Sequence, residues 1–84
     1  MVHVVMYTSR FCPYCMMAER FLAQKGISEI EKIRVDTDNS LMQEMMTKTG
    51  RRTVPQIFIG EHHVGGYDDL VALDKQGELA PLLG

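Results

Sequence analysis

Two cysteines separated by a proline and a tyrosine, Cys12-Pro13-Tyr14-Cys15, constrain this chain more than any other stretch. Proline suits the first position of a helix, because its fixed φ is already helical and no amide hydrogen is needed there. Cys12 is then predicted at the N-cap, where free backbone N–H groups and the helix dipole favour a thiolate over a thiol. Cys15 is predicted one turn further along, within reach for a disulfide. The spacing therefore predicts a redox-active dithiol, with Cys12 as the nucleophile and Cys15 as the resolving thiol.

The composition is that of one small globular domain, which we expect to span residues 1–84. Hydrophobic residues make up 45% of the chain and the net charge is −2, so neither nucleic acid nor a membrane is expected as a partner. The first residues, Met-Val-His, lack the basic start of a signal peptide, which favours a cytoplasmic location. In a reducing compartment, two cysteines indicate a catalytic or metal-binding pair rather than a structural disulfide.

Hydrophobic periodicity and turn residues predict the order strand, helix, strand, helix, strand, strand, helix. The first half is a strand–helix–strand unit with parallel strands, and the second half is an antiparallel hairpin followed by a helix. Asp38 or Asn39 is expected to cap the second helix, and Asp68 the third. Together these elements predict an α/β domain with a mixed four-stranded sheet and helices on both faces. We expect strands at residues 2–7, 30–35, 54–59 and 63–65, helices at 13–25, 40–49 and 69–76, and a last helical turn at 78–83.

Three motifs together resemble the dithiol glutaredoxins: Cys12-Pro13-Tyr14-Cys15, Thr53-Val54-Pro55 and Gly65-Gly66-Tyr67-Asp68-Asp69-Leu70. The resemblance extends over essentially the whole chain. It implies a thioredoxin fold with strand order 2-1-3-4. It also implies glutathione-dependent reduction of protein disulfides and of protein–glutathione mixed disulfides, by a monomer that keeps no cofactor bound. The expected partners are glutathione and proteins that carry disulfides or glutathione adducts.

Thr53-Val54-Pro55 resembles the segment that carries a cis proline opposite the cysteines in this family. Proline is the residue for which a cis peptide bond costs little. In that geometry the N–H and C=O groups of Val54 can pair with an extended peptide. The cysteinyl unit of glutathione would then lie along Val54, with its sulfur presented to Cys12. The alternative, more common for an isolated Val-Pro, is a trans proline at the start of a strand.

Gly65-Gly66-Tyr67-Asp68 is predicted to hold the far end of glutathione. A glycine-rich turn into a helix N-terminus offers backbone N–H groups to a carboxylate, and Asp68 can face an ammonium group. The γ-glutamyl end of glutathione carries both charges on one carbon. The alternative is an ordinary turn in which Asp68 is only a helix cap.

One position departs from the family pattern. Many members have a lysine three residues before the first cysteine, where this chain has Ser9 followed by Arg10. Arg10 is the predicted substitute, with Arg51 or Arg52 as alternatives, although exposed arginines often contribute little. The candidate glutathione-binding residues are Arg10, Tyr14, Thr53, Val54, Pro55, Gly66, Tyr67 and Asp68.

Two other functions fit the dithiol less well. An iron–sulfur carrier would share a cluster between two protomers through Cys12 and two glutathiones, but the dedicated carriers of the family lack Pro13-Tyr14 and the second cysteine. A zinc or copper module would need further ligands. His62 and His63 are adjacent, so on a strand they point to opposite faces and do not easily join the cysteines. No metal site is therefore predicted.

Overall fold

The computed structural model describes residues 2–84, so the first residue of the expected domain, Met1, lies outside the described residues. Strands and helices follow one another in the predicted order, with a short fourth helix at the end. The elements are β1 (Val4–Thr8), α1 (Pro13–Gln24), β2 (Glu31–Arg34), α2 (Asn39–Thr49), β3 (Gln56–Ile59), β4 (His62–Gly65), α3 (Tyr67–Lys75) and α4 (Leu79–Leu83).

The four strands form one mixed sheet in the order β2-β1-β3-β4, which confirms the order that the resemblance implied. β1 and β2 are parallel and α1 connects them, whereas β3 is antiparallel to both β1 and β4. Tyr7 near the end of β1 lies opposite Gln56 at the start of β3. The loop that carries Cys12 and the segment that precedes β3 therefore meet at the same end of the sheet.

The core lies on both faces of the sheet, because successive side chains of a strand point to opposite sides. Val4 and Met6 of β1 face the larger cluster, which includes buried side chains of α1, α3 and α4. Tyr7 faces the smaller cluster with Met45, the buried side chain of α2. Helices on both faces were predicted and are confirmed. Among the helices of residues 2–84, none has the length and apolar character needed to cross a bilayer.

The second helix has the predicted ends. Asp38 is its N-cap, and Oδ1 of Asp38 accepts a hydrogen bond from the backbone N–H of Ser40 at 2.9 Å. Gly50 follows the last turn in the left-handed region, with φ of 72°, and its N–H donates to the carbonyl oxygen of Met46. A left-handed residue closes a helix in this way most easily when it is glycine. The end of α2 at Gly50 therefore places Arg51 at the start of the segment that leads to β3.

The predicted cap of the third helix is wrong. α3 begins at Tyr67 with Gly66 as its N-cap, and Asp68 lies inside the first turn. Asp69, the third helical residue, accepts a hydrogen bond from the N–H of Gly66 at 2.9 Å. A carboxylate at this position can reach back to the N-cap amide, so the cap itself needs no side chain. Asp68 therefore does not cap α3, contrary to the prediction from the sequence.

Candidate active site

The two cysteines lie at the N-terminus of α1 and form a disulfide, with their Cα atoms 5.2 Å apart. Cys12 is the N-cap and Pro13 the first helical residue, as predicted. The backbone N–H of Cys15 donates to Sγ of Cys12 at 3.1 Å. Cys12 is 8% exposed and Cys15 is 2% exposed. In the reduced protein, the same N–H and the helix dipole favour a thiolate at Cys12, which is also the more accessible sulfur.

The segment before β3 faces this pair. The peptide bond between Val54 and Pro55 is cis, as the resemblance implied. The carbonyl oxygen of Val54 lies 3.8 Å from Sγ of Cys12. The backbone of Val54 therefore lies beside the sulfur atom of Cys12.

An open groove of about 310 Å³ lies between this segment and the start of α3. Apart from Arg10, every residue predicted to contact glutathione lines it. That these residues contact glutathione stays a prediction. The lining residues are Tyr14, Arg51, Thr53, Val54, Pro55, Gln56, Gly66, Tyr67, Asp68 and Asp69.

Arg10 lies outside this groove lining. Its backbone N–H donates to Oδ2 of Asp36 at 3.2 Å, and its guanidinium carbon lies 5.1 Å from the centroid of the Phe11 ring. Asp36 is also bound by Arg34, and the hydrogen bond from Arg34, with that of the Arg10 backbone, holds the pKa of Asp36 below its usual value. Of the two alternatives to Arg10, only Arg51 lines the groove.

Arg51 and Asp69 connect the two walls of the groove. Nη1 of Arg51 lies 2.8 Å from Oδ2 of Asp69, the same oxygen that accepts the N–H of Gly66. The hydrogen bond from Arg51, followed by that from Gly66, lowers the pKa of Asp69. At Gly65, where φ is 113°, a Cβ atom would lie 2.5 Å from Oδ2 of Asp69. Only glycine therefore leaves room for this carboxylate, which the sequence reasoning had missed as a site residue.

Two tyrosines form an aromatic part of the groove lining. The ring of Tyr67 lies 6.3 Å from the ring of Tyr14, measured between centroids. Tyr67 is also held edge-on against Phe21 of α1, at 6.3 Å. Tyr14 itself is 57% exposed, so its ring is available to a ligand. The edge-on contact with Phe21 is a favourable aromatic geometry that fixes Tyr67 against α1.

Gln56 is a second residue that the sequence reasoning missed. It is fully buried at the start of β3, and its Nε2 donates to Oγ1 of Thr53 at 3.3 Å. Its Oε1 lies 2.8 Å from Nε2 of His63 on β4. Burial, followed by the nearby positive charge of Arg51, lowers the pKa of His63. A single amide inside the apolar run of residues 54–59 was the pattern that could have revealed it.

In the described part of the chain, the two cysteines do not belong to a larger cluster of potential metal ligands. Within residues 2–84, no group of three or more histidine, cysteine, aspartate or glutamate side chains could hold a metal ion. His62 is exposed and His63 is bonded to Gln56.

Comparison with known proteins decides the family. A family model described as Glutaredoxin matches residues 4–64, a stretch that contains both cysteines and the cis proline. The chain belongs to the glutaredoxin family. It is 52% identical over 80 residues to a glutaredoxin of Neisseria meningitidis, covering 95% of this chain and 94% of that protein. It is 47% identical over 83 residues to glutaredoxin 3 of Escherichia coli strain K12, covering 99% of both.

The fold supports the same assignment. The chain is similar to buckwheat glutaredoxin, solved by crystallography as a complex with glutathione, with a TM-score of 0.87 and 29% identity. The match covers 98% of this chain and 76% of that one. As a glutaredoxin with a cysteine pair at disulfide distance, the protein is a glutathione-dependent thiol–disulfide oxidoreductase. The iron–sulfur carrier is not favoured, because Cys15 is present and closes an intramolecular disulfide with Cys12.

Proposed function

We propose that this glutaredoxin reduces protein–glutathione mixed disulfides through Cys12 alone, and protein disulfides through Cys12 and Cys15 together. The observation that carries the proposal is the environment of Cys12 Sγ. This sulfur accepts the Cys15 N–H at a helix N-terminus and lies 3.8 Å from the carbonyl oxygen of Val54. It is therefore both activated and placed beside a groove for the substrate.

The route through one cysteine has two exchanges. The Cys12 thiolate attacks the glutathione sulfur of the mixed disulfide, so a bond forms from Cys12 to glutathione and the protein thiolate leaves and takes up a proton. The thiolate of a second glutathione then attacks the sulfur of the first. Oxidised glutathione leaves, and the Cys12 thiolate is restored. Thiolate fraction, leaving-group pKa and access set the rates.

The route through both cysteines passes through the state seen here. Cys12 attacks one sulfur of a protein disulfide and forms a mixed disulfide with that protein. The Cys15 thiolate then attacks Sγ of Cys12, which releases the reduced protein and leaves the Cys12–Cys15 disulfide. Two molecules of glutathione reduce this disulfide and become one molecule of oxidised glutathione.

We further propose that the glutathionyl group lies along the groove, with its cysteinyl unit against the backbone of Val54. Its γ-glutamyl end reaches the N-terminus of α3, where backbone N–H groups can meet the carboxylate and Asp68 the ammonium group. The exposed position of Asp68 in the first turn of α3 supports this placement, because no described hydrogen bond or ion pair occupies its carboxylate. Tyr14, Thr53, Pro55, Gly66 and Tyr67 complete the proposed contacts, and Arg10 stays a candidate for the glycyl carboxylate.

Asp68→Ala tests the placement of the γ-glutamyl end. A hydrogen bond to a charged group contributes about 1.5–3 kcal/mol when it is shielded from water, and less at an exposed position such as Asp68. We therefore expect the KM for a glutathionylated peptide to rise about three- to tenfold. The same peptide carrying cysteamine instead of glutathione should show no change, because it lacks the γ-glutamyl group. Glu78→Ala removes a similar charge away from the groove and serves as the control. Equal KM values for Asp68→Ala and Glu78→Ala would contradict the placement.

We also propose that the chain is a single domain that works as a monomer in the cytoplasm. Both cysteines and both groove walls come from one chain, so the site needs no second copy. Catalysis by thiols that glutathione must keep reduced suits a reducing compartment. Light scattering of the purified protein should give a mass near 9.5 kDa, and a mass of twice that value would contradict the monomer.

A further inference from the structure

Three side chains form a continuous hydrogen-bonded chain from β4 to the groove. Nε2 of His63 lies 2.8 Å from Oε1 of Gln56, and Nε2 of Gln56 donates to Oγ1 of Thr53 at 3.3 Å. Thr53 lines the groove and directly precedes Val54, whose carbonyl oxygen is 3.8 Å from Sγ of Cys12. These hydrogen bonds thus connect β4, at the edge of the sheet, to the side of the groove next to Cys12.

The middle of this chain is held rigidly. Gln56 is fully buried opposite Tyr7 of the neighbouring strand, so both ends of its amide need protein partners. His63 is stacked on Phe58 with ring centroids 5.0 Å apart, which fixes the plane of the imidazole. In the structure the amide of Gln56 has its oxygen toward His63 and its nitrogen toward Thr53, so both of its polar atoms have a partner.

This orientation of the Gln56 amide sets the direction of both hydrogen bonds, the one with His63 and the one with Thr53. Because Oε1 of Gln56 can only accept, Nε2 of His63 carries the hydrogen and donates. Because Nε2 of Gln56 can only donate, Oγ1 of Thr53 accepts. The single hydroxyl hydrogen of Thr53 is then not used inside the chain and is available to an acceptor in the groove.

We propose that Gln56 and His63 are positioning residues that hold the Thr53 hydroxyl as a hydrogen-bond donor to the bound glutathionyl group. The carbonyl and carboxylate oxygens of glutathione are acceptors of the required kind. The inference rests on the proposed function, because it needs the glutathionyl group to lie in the groove. Burial, followed by the charge of Arg51, lowers the pKa of His63, which favours the neutral ring that the proposal requires.

Steady-state kinetics with a glutathionylated peptide test the proposal. Thr53→Val, Gln56→Leu and His63→Phe should each raise the KM about three- to tenfold with kcat nearly unchanged, as expected for one lost hydrogen bond to the bound substrate. The double variant Thr53→Val with Gln56→Leu should have the KM of the more affected single variant, because Gln56 acts through Thr53. The cysteamine adduct of the same peptide should show no KM change in any variant.

The matched control is His62→Phe, which changes the exposed neighbour of His63 on the same strand and should leave the KM unchanged. If Thr53→Val and Asp68→Ala both leave the KM unchanged, glutathione does not bind in the groove and the proposed function fails with the inference. If those two raise the KM but Gln56→Leu and His63→Phe do not, the inference alone is overturned. The inference would also be overturned if the KM increases of Thr53→Val and Gln56→Leu multiply in the double variant.

A measurement on the unchanged protein covers the case in which the Gln56 variant does not fold. Nitrogen-15 NMR of the histidine side chains distinguishes a ring with its hydrogen on Nε2 from one with it on Nδ1. The inference requires His63 to be neutral with the hydrogen on Nε2 at pH 7. A neutral ring that carries the hydrogen on Nδ1 would overturn it.

Discussion

Each of the two sulfur atoms at the start of α1 has its own surroundings. Sγ of Cys12 accepts a backbone N–H and lies beside the carbonyl oxygen of Val54. Both cysteines belong to the larger core cluster, but Cys12 is 8% exposed and Cys15 only 2%. We therefore expect an external disulfide to react with Cys12 rather than with Cys15. The local geometry therefore separates the attacking thiol from the resolving one, although both belong to the same helical turn.

Replacing each cysteine by serine should separate the two routes. Cys15→Ser should keep its activity on a glutathionylated peptide within about twofold of the original, since that route needs only one thiol. It should lose most activity on a protein disulfide. Cys12→Ser should lose both by at least about a hundredfold, because a serine hydroxyl is hardly ionised near neutral pH. Alkylation of the reduced protein at pH 6 provides the check, and labelling of Cys15 before Cys12 would reverse the assignment.

Among the elements, the start of α3 depends most on a single side chain. One oxygen of Asp69 accepts the N–H of Gly66 and the guanidinium of Arg51, so it caps α3 and joins the two walls of the groove. Asp68, its neighbour, has no such contact among the described residues. The two adjacent carboxylates are therefore expected to have different tasks, with Asp69 serving stability and Asp68 serving binding.

Asp69→Ala should lower the free energy of unfolding by about 1 kcal/mol at pH 7, the usual cost of a lost cap. The pKa of Asp69 is lowered in the folded protein, so its contribution is present above the unfolded pKa and is lost as the pH falls below about 4. Urea unfolding should therefore show a smaller difference in the free energy of unfolding between Asp69→Ala and the original protein at pH 3 than at pH 7. A larger loss for Asp68→Ala than for Asp69→Ala would contradict this division.

Gly65 should tolerate no side chain. Gly65→Ala would bring a Cβ atom within 2.5 Å of Oδ2 of Asp69 at a φ of 113°, and we expect a loss of about 1–3 kcal/mol. Gly77→Ala is the control, because φ is also positive there, at 75°, but no atom lies within 4 Å of the added carbon. Urea unfolding should show the larger loss at Gly65, and equal losses would mean that the carboxylate moves aside freely.

The sequence predicted most elements because each has a local cause. Asp38 and Gly50 mark the ends of α2, and Pro13 marks the start of α1. The start of α3 was predicted wrongly because an aspartate is the stronger cap signal than a glycine. The bond that forms instead runs from the N–H of Gly66 to Asp69, the third residue of the helix. The contact of Asp69 with Arg51, which is 18 residues away in the chain, could not be predicted from any local pattern. The role of Gln56 was missed for the same reason, since its partner His63 lies on another strand.

At the scale of the whole molecule, the domain is two helical layers on one small sheet. With 84 residues, it is near the size at which one sheet and its helices can just supply a sufficient core. The larger cluster extends from the cysteines through Leu22 and Leu70 to Leu79 of α4. The last helix is therefore part of the same apolar core that holds Cys15 in place.

Leu79→Ala should show how much α4 contributes to the stability of the domain. Leu79 is fully buried, and removing such a side chain costs about 2–5 kcal/mol, which is a large part of the stability of a domain of this size. The KM of the protein that remains folded should be unchanged, because Leu79 does not line the groove. Ala80→Gly, at an exposed position of the same helix, is the control for helix propensity. Equal losses for the two variants in urea unfolding would mean that α4 adds little to the core.

The outer strands of the sheet have a consequence for any contact of this domain with another polypeptide. An uncovered strand edge offers free N–H and C=O groups to any extended chain, which is a route to aggregation. β2 is four residues long, and its charged side chains Glu31, Lys32 and Arg34 contact His3, Glu19 and Asp36, respectively. β4, on the opposite side, is equally short and ends at Gly65. Both outer strands are thus short, and β2 carries charges along it, so each is a poor template for another extended chain.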